Sequence, residues 1–260
     1  KVKLIVKNLK KKITIITPTF NSAKTIKSNI QSIQNQSYRN WEHLIIDNQS
    51  IDNSLEIINQ NFDIRRRILS EKDDGIYDAI NKGISLAKGE IISILHSDDI
   101  FFDNNTLMEV ISKFKSSKTD IVYGNLIYVK KNDLTKILRF WKSSKFKSGL
   151  FKSGWSPPHT AFFIKKKLYE KFGLYKNQIG NSADIELMYR MLEKHKISNE
   201  YLNKTLVKMR YGGKSNNNLI VIFKQNLEII KFLNLKNSFQ ICIFICLKII
   251  NRISQFFKKK

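Results

Sequence analysis

Carboxylates that could do chemistry stand at three places in the 260-residue chain: Asp47, the adjacent pair Asp98-Asp99, and Asp184. Two neighbouring carboxylates repel each other and are tolerated best where a cation or ligand hydroxyls compensate them. A hard divalent cation with oxygen ligands would meet that need at Asp98-Asp99. A solvated turn ahead of a helix capped by Asp103 would meet it without chemistry. Asp47 can accept hydrogen bonds from a base or a ribose, or belong to a turn in which Ser50 or Asp52 caps a helix. Asp184 opens a helical pattern, where a carboxylate can be a general base or an N-terminal cap. His159, after Pro157-Pro158, can act as an acid, as a ligand or as a loop histidine satisfied by its neighbours. The most unusual stretch is Ser70 to Gly83, which packs Glu71, Lys72, Asp73, Asp74, Gly75, Tyr77 and Asp78 into a loop running into a helix. Gly75 beside a helix start suits the approach of a phosphate, and Asn81 and Lys82 fall inside that helix, one turn from Asp78.

These residues need elements to hold them. Ile13 to Thr17 reads as a strand ending at Pro18, and a helical pattern follows from Ala23 to Gln34. His43 to Asp47 is a second strand, Asp52 to Gln60 a helix, and Arg67 to Ser70 a third strand. Asp78 to Ala87 is helical and closed by Gly89, and Glu90 to Leu95 is a fourth strand. This alternation, with strands that lack a polar face, predicts a parallel sheet covered by helices on both sides. In such folds ligands bind beyond the carboxyl ends of the strands, where Asp47 and Asp98-Asp99 both fall. Farther on, Asp120 to Val129 reads as a region of paired strands. Ala161 to Ile164 reads as a strand leading to a helix over Lys166–Lys171. Asp184 to His195 reads as one helix with Leu187, Met188, Met191 and Leu192 on one face. Leu134 to Trp155 is basic and aromatic, with no assignable period. From Leu219 the chain is helical, Lys-rich and apolar, with Glu228 as its single acid. The expected division is a nucleotide-binding α/β domain over 1–218 and a helical tail over 219–260.

The 46 basic against 22 acidic residues leave a net charge of +24, which points to an anionic partner such as nucleic acid, a membrane surface or a phosphorylated substrate. The joint richness in Lys, Asn and Ile also matches the drift of an AT-rich genome. Acids gathered at strand ends would repel a phosphate backbone unless metal-bound, so nucleic acid is not expected as a partner. Cys242 and Cys246, four apart in an apolar run, exclude a disulfide framework. There is no Walker-A loop, no dinucleotide-binding glycine fingerprint after the first strand, and no hydrolase nucleophile elbow. Lys1 to Lys12 lacks the apolar region and cleavage site of a secretory signal. No uninterrupted apolar run reaches the ~20 residues needed to span a bilayer, and the longest, Ile241 to Leu247, is broken by Lys248. A cytoplasmic protein is expected.

The pieces together resemble the bacterial family 2 glycosyltransferases of O-antigen, capsule and colanic-acid biosynthesis. Thr17-Pro18-Thr19-Phe20-Asn21 is similar to the family's opening motif. Asp47-Asn48-Gln49-Ser50-Ile51-Asp52 is similar to its Asp-x-x-Ser-x-Asp segment, and Glu71 to Gly83 to its central block. His96-Ser97-Asp98-Asp99 falls at the DxD-type position. Pro158-His159 through Phe163, Gly173 and Asp184-Ile185-Glu186-Leu187 resemble the acceptor-side motifs, and Gly212-Gly213-Lys214-Ser215 the closing loop. The likeness spans Ile13 to Ser215. It implies the GT-A fold, a nucleotide-binding mixed sheet flanked by helices. It also implies an inverting, metal-dependent transfer of a sugar from a nucleotide diphosphate sugar, with Asp184 as catalytic base and Asp99 binding Mn2+ or Mg2+. Asp98 would contact ribose or metal-bound phosphate, and Pro18, Asp47 and Lys82 would lie near the nucleotide. Phe20, Asn21, Asp73, Gly75, Asp78, Asn81 and His159 complete the expected substrate-binding set. Two positions depart from the pattern: His96 and Ala183 stand where many relatives carry an acid. A nucleotidyltransferase on a metal-binding α/β fold is the alternative reading.

Relatives with this central block often act on undecaprenyl-diphosphate-linked sugars at the cytoplasmic face of the inner membrane. The tail fits that place. Phe239, Cys242, Cys246, Ile249, Ile253 and Phe256 can share one helix face, with Gln240, Lys248, Asn251, Arg252 and Gln255 elsewhere. A basic amphipathic helix of this kind can lie among lipid headgroups, or it can pack on the domain or on a dimer partner. The expected donor is a UDP-hexose, glucose or galactose ahead of N-acetylhexosamines.

Overall fold

Isoleucine-rich runs make the strands that carry the site. The computed structural model describes residues 11–212 and 219–257. β1 (Ile13–Thr19) and β2 (Trp41–Asp47) are buried at every position, as strands covered on both faces must be. They pair in parallel from Ile13↔Trp41 to Thr19↔Asp47. β3 (Arg66–Ser70) adds in parallel to β2, and β4 (Ile91–Ile94) in parallel to β1. The crossovers are α1 (Ile26–Gln34), α2 (Ser54–Gln60) and α3 (Ile76–Leu86). β1 does not stop at Pro18 but runs on to Thr19. Proline gives no N–H to a ladder and belongs at an edge, and β4 leaves β1 at Ile16↔Ile94, so Pro18 has only β2 beside it.

The expected parallel sheet is confined to these four strands. Next come β5 (Ile100–Phe101), α4 (Thr106–Ser116), β6 (Ile121–Lys130), β7 (Asp133–Trp141), β8 (Phe162–Lys165), α5 (Lys166–Phe172), α6 (Ala183–Tyr189) and β9 (Asn199–Arg210). Among the described residues nine strands form one mixed sheet in the order β3-β2-β1-β4-β8-β6-β9-β5, with β7 paired to β6 outside that path. β8 lies antiparallel between β4 and β6, and β9 parallel to β6. Where paired strands were expected from Asp120 there is one ten-residue strand, β6; its hairpin partner β7 lies in the basic, aromatic stretch. The helix expected over Asp184–His195 is α6 followed by a wider π-type turn, Arg190–Lys194. That turn sets Arg190 inward, where it donates to the carbonyls of Phe172, Gly173 and Leu174 and pairs with Glu186.

The tail folds back onto this body as α7 (Leu219–Phe232) and α8 (Ser238–Phe257). Ile229, Leu233, Leu235 and Phe244 join the core shared by β1, β2, β4 and α6. Residues Ser238–Phe256 have a mean hydropathy of 1.4 and are, by length and composition, apolar enough to cross a membrane. This corrects the expectation from uninterrupted runs: Lys248 and Arg252 break the run but not the helix. α8 is also amphipathic the opposite way round from a soluble surface helix. Phe239, Ile249, Ile250 and Ile253 are exposed, while Lys248, Asn251, Arg252 and Gln255 turn toward the protein's cavity.

α3 reaches β1 through a glycine. A Cβ built on Gly83 would sit 2.4 Å from Ile16 Cγ2, and Ile16 is fully buried. Helix propensity favours alanine over glycine by ~1 kcal/mol, but overpacking a core costs ~1–3 kcal/mol. Gly83→Ala is therefore expected to lower the unfolding free energy by up to about 2 kcal/mol in urea titration. A raised midpoint would show that α3 is free to shift away from the sheet.

Candidate active site

The carboxyl ends of β1, β2 and β4 face one cavity of about 1740 Å³. On its floor, the turn after β4 brings His96, Asp98 and Asp99 together, with their ligand atoms within 4.8 Å of one another. The turn is held by neighbours. Asn29 Nδ2 donates to the carbonyls of His96 and Asp99, each at 2.9 Å. Ser22 and Ser97 share a 2.8 Å hydroxyl bond. Arg210 donates to the Asp98 carbonyl, to Ser28 Oγ at 2.9 Å and to the Lys131 carbonyl at 3.2 Å. Asp99 is fully buried and neither carboxylate oxygen has a hydrogen-bond partner among the described residues. Burial, then the charge of Asp98, pushes its pKa well above the ordinary carboxylate value, with Arg210 offsetting part of this. Burial, then His159, lowers His96 to about 4, which leaves the neutral ring that binds metals. Two carboxylates and a neutral imidazole fit a divalent cation, and an orphaned buried carboxylate calls for one.

Across the cavity stands Asp184, in the first turn of α6. Its Oδ2 lies 3.2 Å from His159 Nδ1, and its Oδ1 accepts the Ile185 N–H at 2.8 Å. Burial raises its pKa; the Ile185 hydrogen bond, the charge of His96 and the Tyr77 hydroxyl work against that rise. Burial lowers His159 to about 4. The His159 and His96 rings are 5.0 Å apart, so Asp184 and the Asp98-Asp99 pair are linked through two neutral imidazoles.

The remaining expected residues fall into two groups. Pro18, Phe20, Asn21, Asp73 and Gly75 line the cavity with Asp98, Asp99, His159 and Asp184. Asn21 adopts φ 47° and its side chain accepts the Ile51 N–H at 3.0 Å, which ties the β1 and β2 loops together. Asp47, Asp78, Asn81 and Lys82 shape the walls from behind. The Asp47 carboxylate is fully buried and accepts Ser50 N–H, Ser50 Oγ and Ser70 Oγ at 3.0, 2.5 and 2.7 Å. Lys82 pairs with Glu71 at 2.9 Å and Asp78 at 3.3 Å and donates to the Lys72 carbonyl. Asn81 exchanges hydrogen bonds with the Tyr175 backbone at 2.9 and 3.0 Å. Above it, Tyr77 stacks on Tyr175 at 5.5 Å. The Glu71–Gly83 block thus braces the segment that carries Asp184. Of the closing loop, Gly213, Lys214 and Ser215 lie outside the described residues.

The glycosyl transferase family 2 model matches residues 14–173. The chain belongs to that family. A PGL/p-HBAD biosynthesis glycosyltransferase of Mycobacterium tuberculosis is 28% identical over 208 residues, 78% of each chain. The UDP-Glc:alpha-D-GlcNAc-diphosphoundecaprenol beta-1,3-glucosyltransferase WfgD of Escherichia coli is 32% identical over 47% of this chain and 48% of its own. Among solved structures, Staphylococcus aureus TarS 1-349 in complex with UDP-GlcNAc superposes with a TM-score of 0.65 at 17% identity, covering 94% of this chain and 73% of that one. The Pyrobaculum calidifontis mannosyltransferase PcManGT in complex with GDP-Man and Mn2+ gives 0.64 at 16% identity, with the same coverage. These likenesses establish the GT-A fold.

In this glycosyltransferase, sequence reasoning missed Arg139, Trp155, Arg210 and the polar face of α8, and left Tyr77 out of the substrate-binding set; all of them line the cavity. The basic, aromatic character of Leu134–Trp155 was the available signal for Arg139 and Trp155. Only the fold shows that α8 closes over them.

The orphaned Asp99 yields a direct test by thermal unfolding. Mn2+ at about 100 times its dissociation constant should stabilise the protein by about 2.7 kcal/mol. Asp99→Asn should remove that gain. An equal Mn2+ shift in the variant would take Asp99 out of the metal site.

Proposed function

We propose that this glycosyltransferase moves a sugar from a nucleotide diphosphate sugar, a UDP-hexose by preference, to a sugar carried on a lipid diphosphate. The product belongs to surface polysaccharide assembly, such as O-antigen or capsule. The observation that carries the reading is Asp184, whose carboxylate shares one cavity with Asp98 and Asp99, touches His159 and gains proton affinity from burial. The TarS neighbour holds UDP-GlcNAc in this fold, and the Escherichia coli relative is named for UDP-Glc and a GlcNAc-diphosphoundecaprenol acceptor.

The nucleoside would sit among Pro18–Ser22 and Asn48–Asn53, where the β1 and β2 loops meet. Asp99 and Asp98, with His96, would hold Mn2+ or Mg2+, and a cation there neutralises charge developing on the departing nucleoside diphosphate. Asp184 accepts the proton of an acceptor hydroxyl as that oxygen bonds to the anomeric carbon. The bond from that carbon to the diphosphate breaks on the opposite face, and its electron pair leaves with the nucleoside diphosphate. This single displacement inverts the centre, so an α-linked donor gives a β-linked product. Neutral His159 directs Nδ1–H at Asp184 and keeps the carboxylate aimed. Residues 1–218 form the transferase domain in this reading. The tail, 219–260, seats it on the inner face of the inner membrane, with the exposed apolar face of α8 toward lipid.

Asp184→Asn is expected to reduce kcat/KM by about 10³-fold while calorimetry finds UDP affinity unchanged; near-normal turnover would remove Asp184 from the role. The base must be ionised, so activity is lost as pH falls through its raised pKa. The acid limb should therefore lie above the ordinary carboxylate value of ~3.9. His159→Ala removes a hydrogen bond to the charged form, so the limb should move higher still; no movement would leave His159 without this role. For the membrane, the triple change Ile249→Ser, Ile253→Ser and Phe256→Ser should weaken sedimentation with phosphatidylglycerol vesicles by about tenfold or more. Equal sedimentation would overturn the anchor.

A further inference from the structure

The wall of the cavity that closes under α8 carries cations from two remote parts of the chain. Lys131, Arg139 and Lys142 come from the β6–β7 hairpin, and Lys248 and Arg252 from α8. Arg139 is only 6% exposed. Its Nε donates to Gln255 Oε1 at 2.7 Å, and its guanidinium lies 4.6 Å from the Tyr128 ring and 5.6 Å from Trp141. Lys248 Nζ donates to Asn226 Oδ1 at 2.6 Å. Among the described residues, no carboxylate comes within ion-pair distance of Arg139 or Lys248. Burial, then the charge of Arg252, lowers Lys248 to about 8, and Arg252 also acts against the charge on Arg139. α8 is fixed over this wall. A Cβ on Gly154 would sit 2.6 Å from Lys248 Cβ, and Asn251 Nδ2 donates to the Ser153 carbonyl at 3.2 Å. Like charges gathered in a poorly solvated wall repel one another, and an anion between them removes that cost.

We propose that Arg139, Lys248 and Arg252 form a subsite for the diphosphate of the lipid-linked acceptor, an inference that rests on the transferase reading above. Donor and acceptor both bring a diphosphate, and the positions decide between them. Arg210 is the cation whose charge meets Asp98 and Asp99. The charge of Asp184 reaches Lys248. An acceptor hydroxyl at Asp184 would direct its glycosyl diphosphate toward the Lys248 side of the same cavity, which Arg139 and Arg252 also line. The guanidinium fork suits phosphate oxygens. The lipid then leaves along α8, whose outer face is apolar and exposed at Ile249, Ile250 and Ile253.

The test is calorimetry of a synthetic undecyl diphosphate added to the full chain already saturated with UDP and Mn2+. Lys248→Gln and Arg139→Gln should each weaken that binding about tenfold or more, the loss of one charge-assisted contact. Arg139→Lys, which keeps the charge, should lose less. In steady state, KM for a GlcNAc-diphosphate alkyl acceptor should rise by a similar factor, while KM for the donor does not. Unchanged binding of undecyl diphosphate overturns the subsite, and so does a rise in donor KM or weakened UDP affinity, which would assign these cations to the donor. Sugar transfer by a protein that does not bind undecyl diphosphate would defeat the subsite and leave the transferase reading standing. Binding without transfer to any sugar acceptor would defeat that reading and leave the anion site standing.

Discussion

A carboxylate sealed inside the protein with no partner sets the terms for everything around it. Asp99 is wholly buried with both oxygens unpaired among the described residues, and an uncompensated buried ion costs several kcal/mol even after relaxation. The fold could have answered with a counter-ion and does not. Arg210 is near enough for its charge to matter, yet its N–H groups go to the Asp98 carbonyl, Ser28 and the Lys131 carbonyl. Asp99 is thus satisfied by a proton or by a cation from outside. A group in that state would pull its loop apart unless the loop were fixed by other means. The Asn29 amide, the Ser22–Ser97 hydroxyl pair and the Arg210 fork fix it through backbone and hydroxyl contacts that leave the carboxylates open.

The same economy governs the opposite side. The Glu71–Gly83 block looks in the sequence like a ligand loop, because it packs acids, a lysine and a glycine before a helix. In three dimensions its charges mostly answer one another: Lys82 closes on Glu71 and Asp78, and Asn81 is spent on Tyr175. What the block delivers to the cavity is the Tyr77 ring, Gly75 and Asp73, and a brace under the turn that bears Asp184. Asp47 behaves alike: three donors consume its carboxylate, and it orders the loop whose other residues face the ligand space.

The half of the site nearest the first four strands was legible because each of its residues follows a strand end, and strand ends in a parallel sheet share one edge. Asp98-Asp99 could be placed from β4 alone. The other half was not legible, because no local pattern joins its parts. Arg139 meets Gln255 across 116 residues of sequence. β9 mixes Asn, Lys and apolar residues without alternation, since its two ends pair with β6 and its middle is exposed. The π-type turn after α6 breaks a helix whose apolar face reads as continuous, for the sake of one buried arginine.

The tail shows a pattern whose period is legible in the sequence while the choice between its two faces is left to the fold. The apolar stripe of α8 is where the periodicity puts it, and the polar residues are on the other side. A soluble surface helix turns its apolar stripe inward; this one keeps Phe244 for the core and turns Lys248, Asn251, Arg252 and Gln255 to the cavity. That orientation is unfavourable in water on its outer face and unfavourable for the gathered cations on its inner face. Both costs vanish together if the outer face meets lipid and the inner face meets the phosphates that lipid carries. On that proposal a helix satisfied on both sides by two ends of one amphipathic molecule would make the net charge, uninformative when spread over the whole surface, specific where α8 crosses the hairpin of β6 and β7.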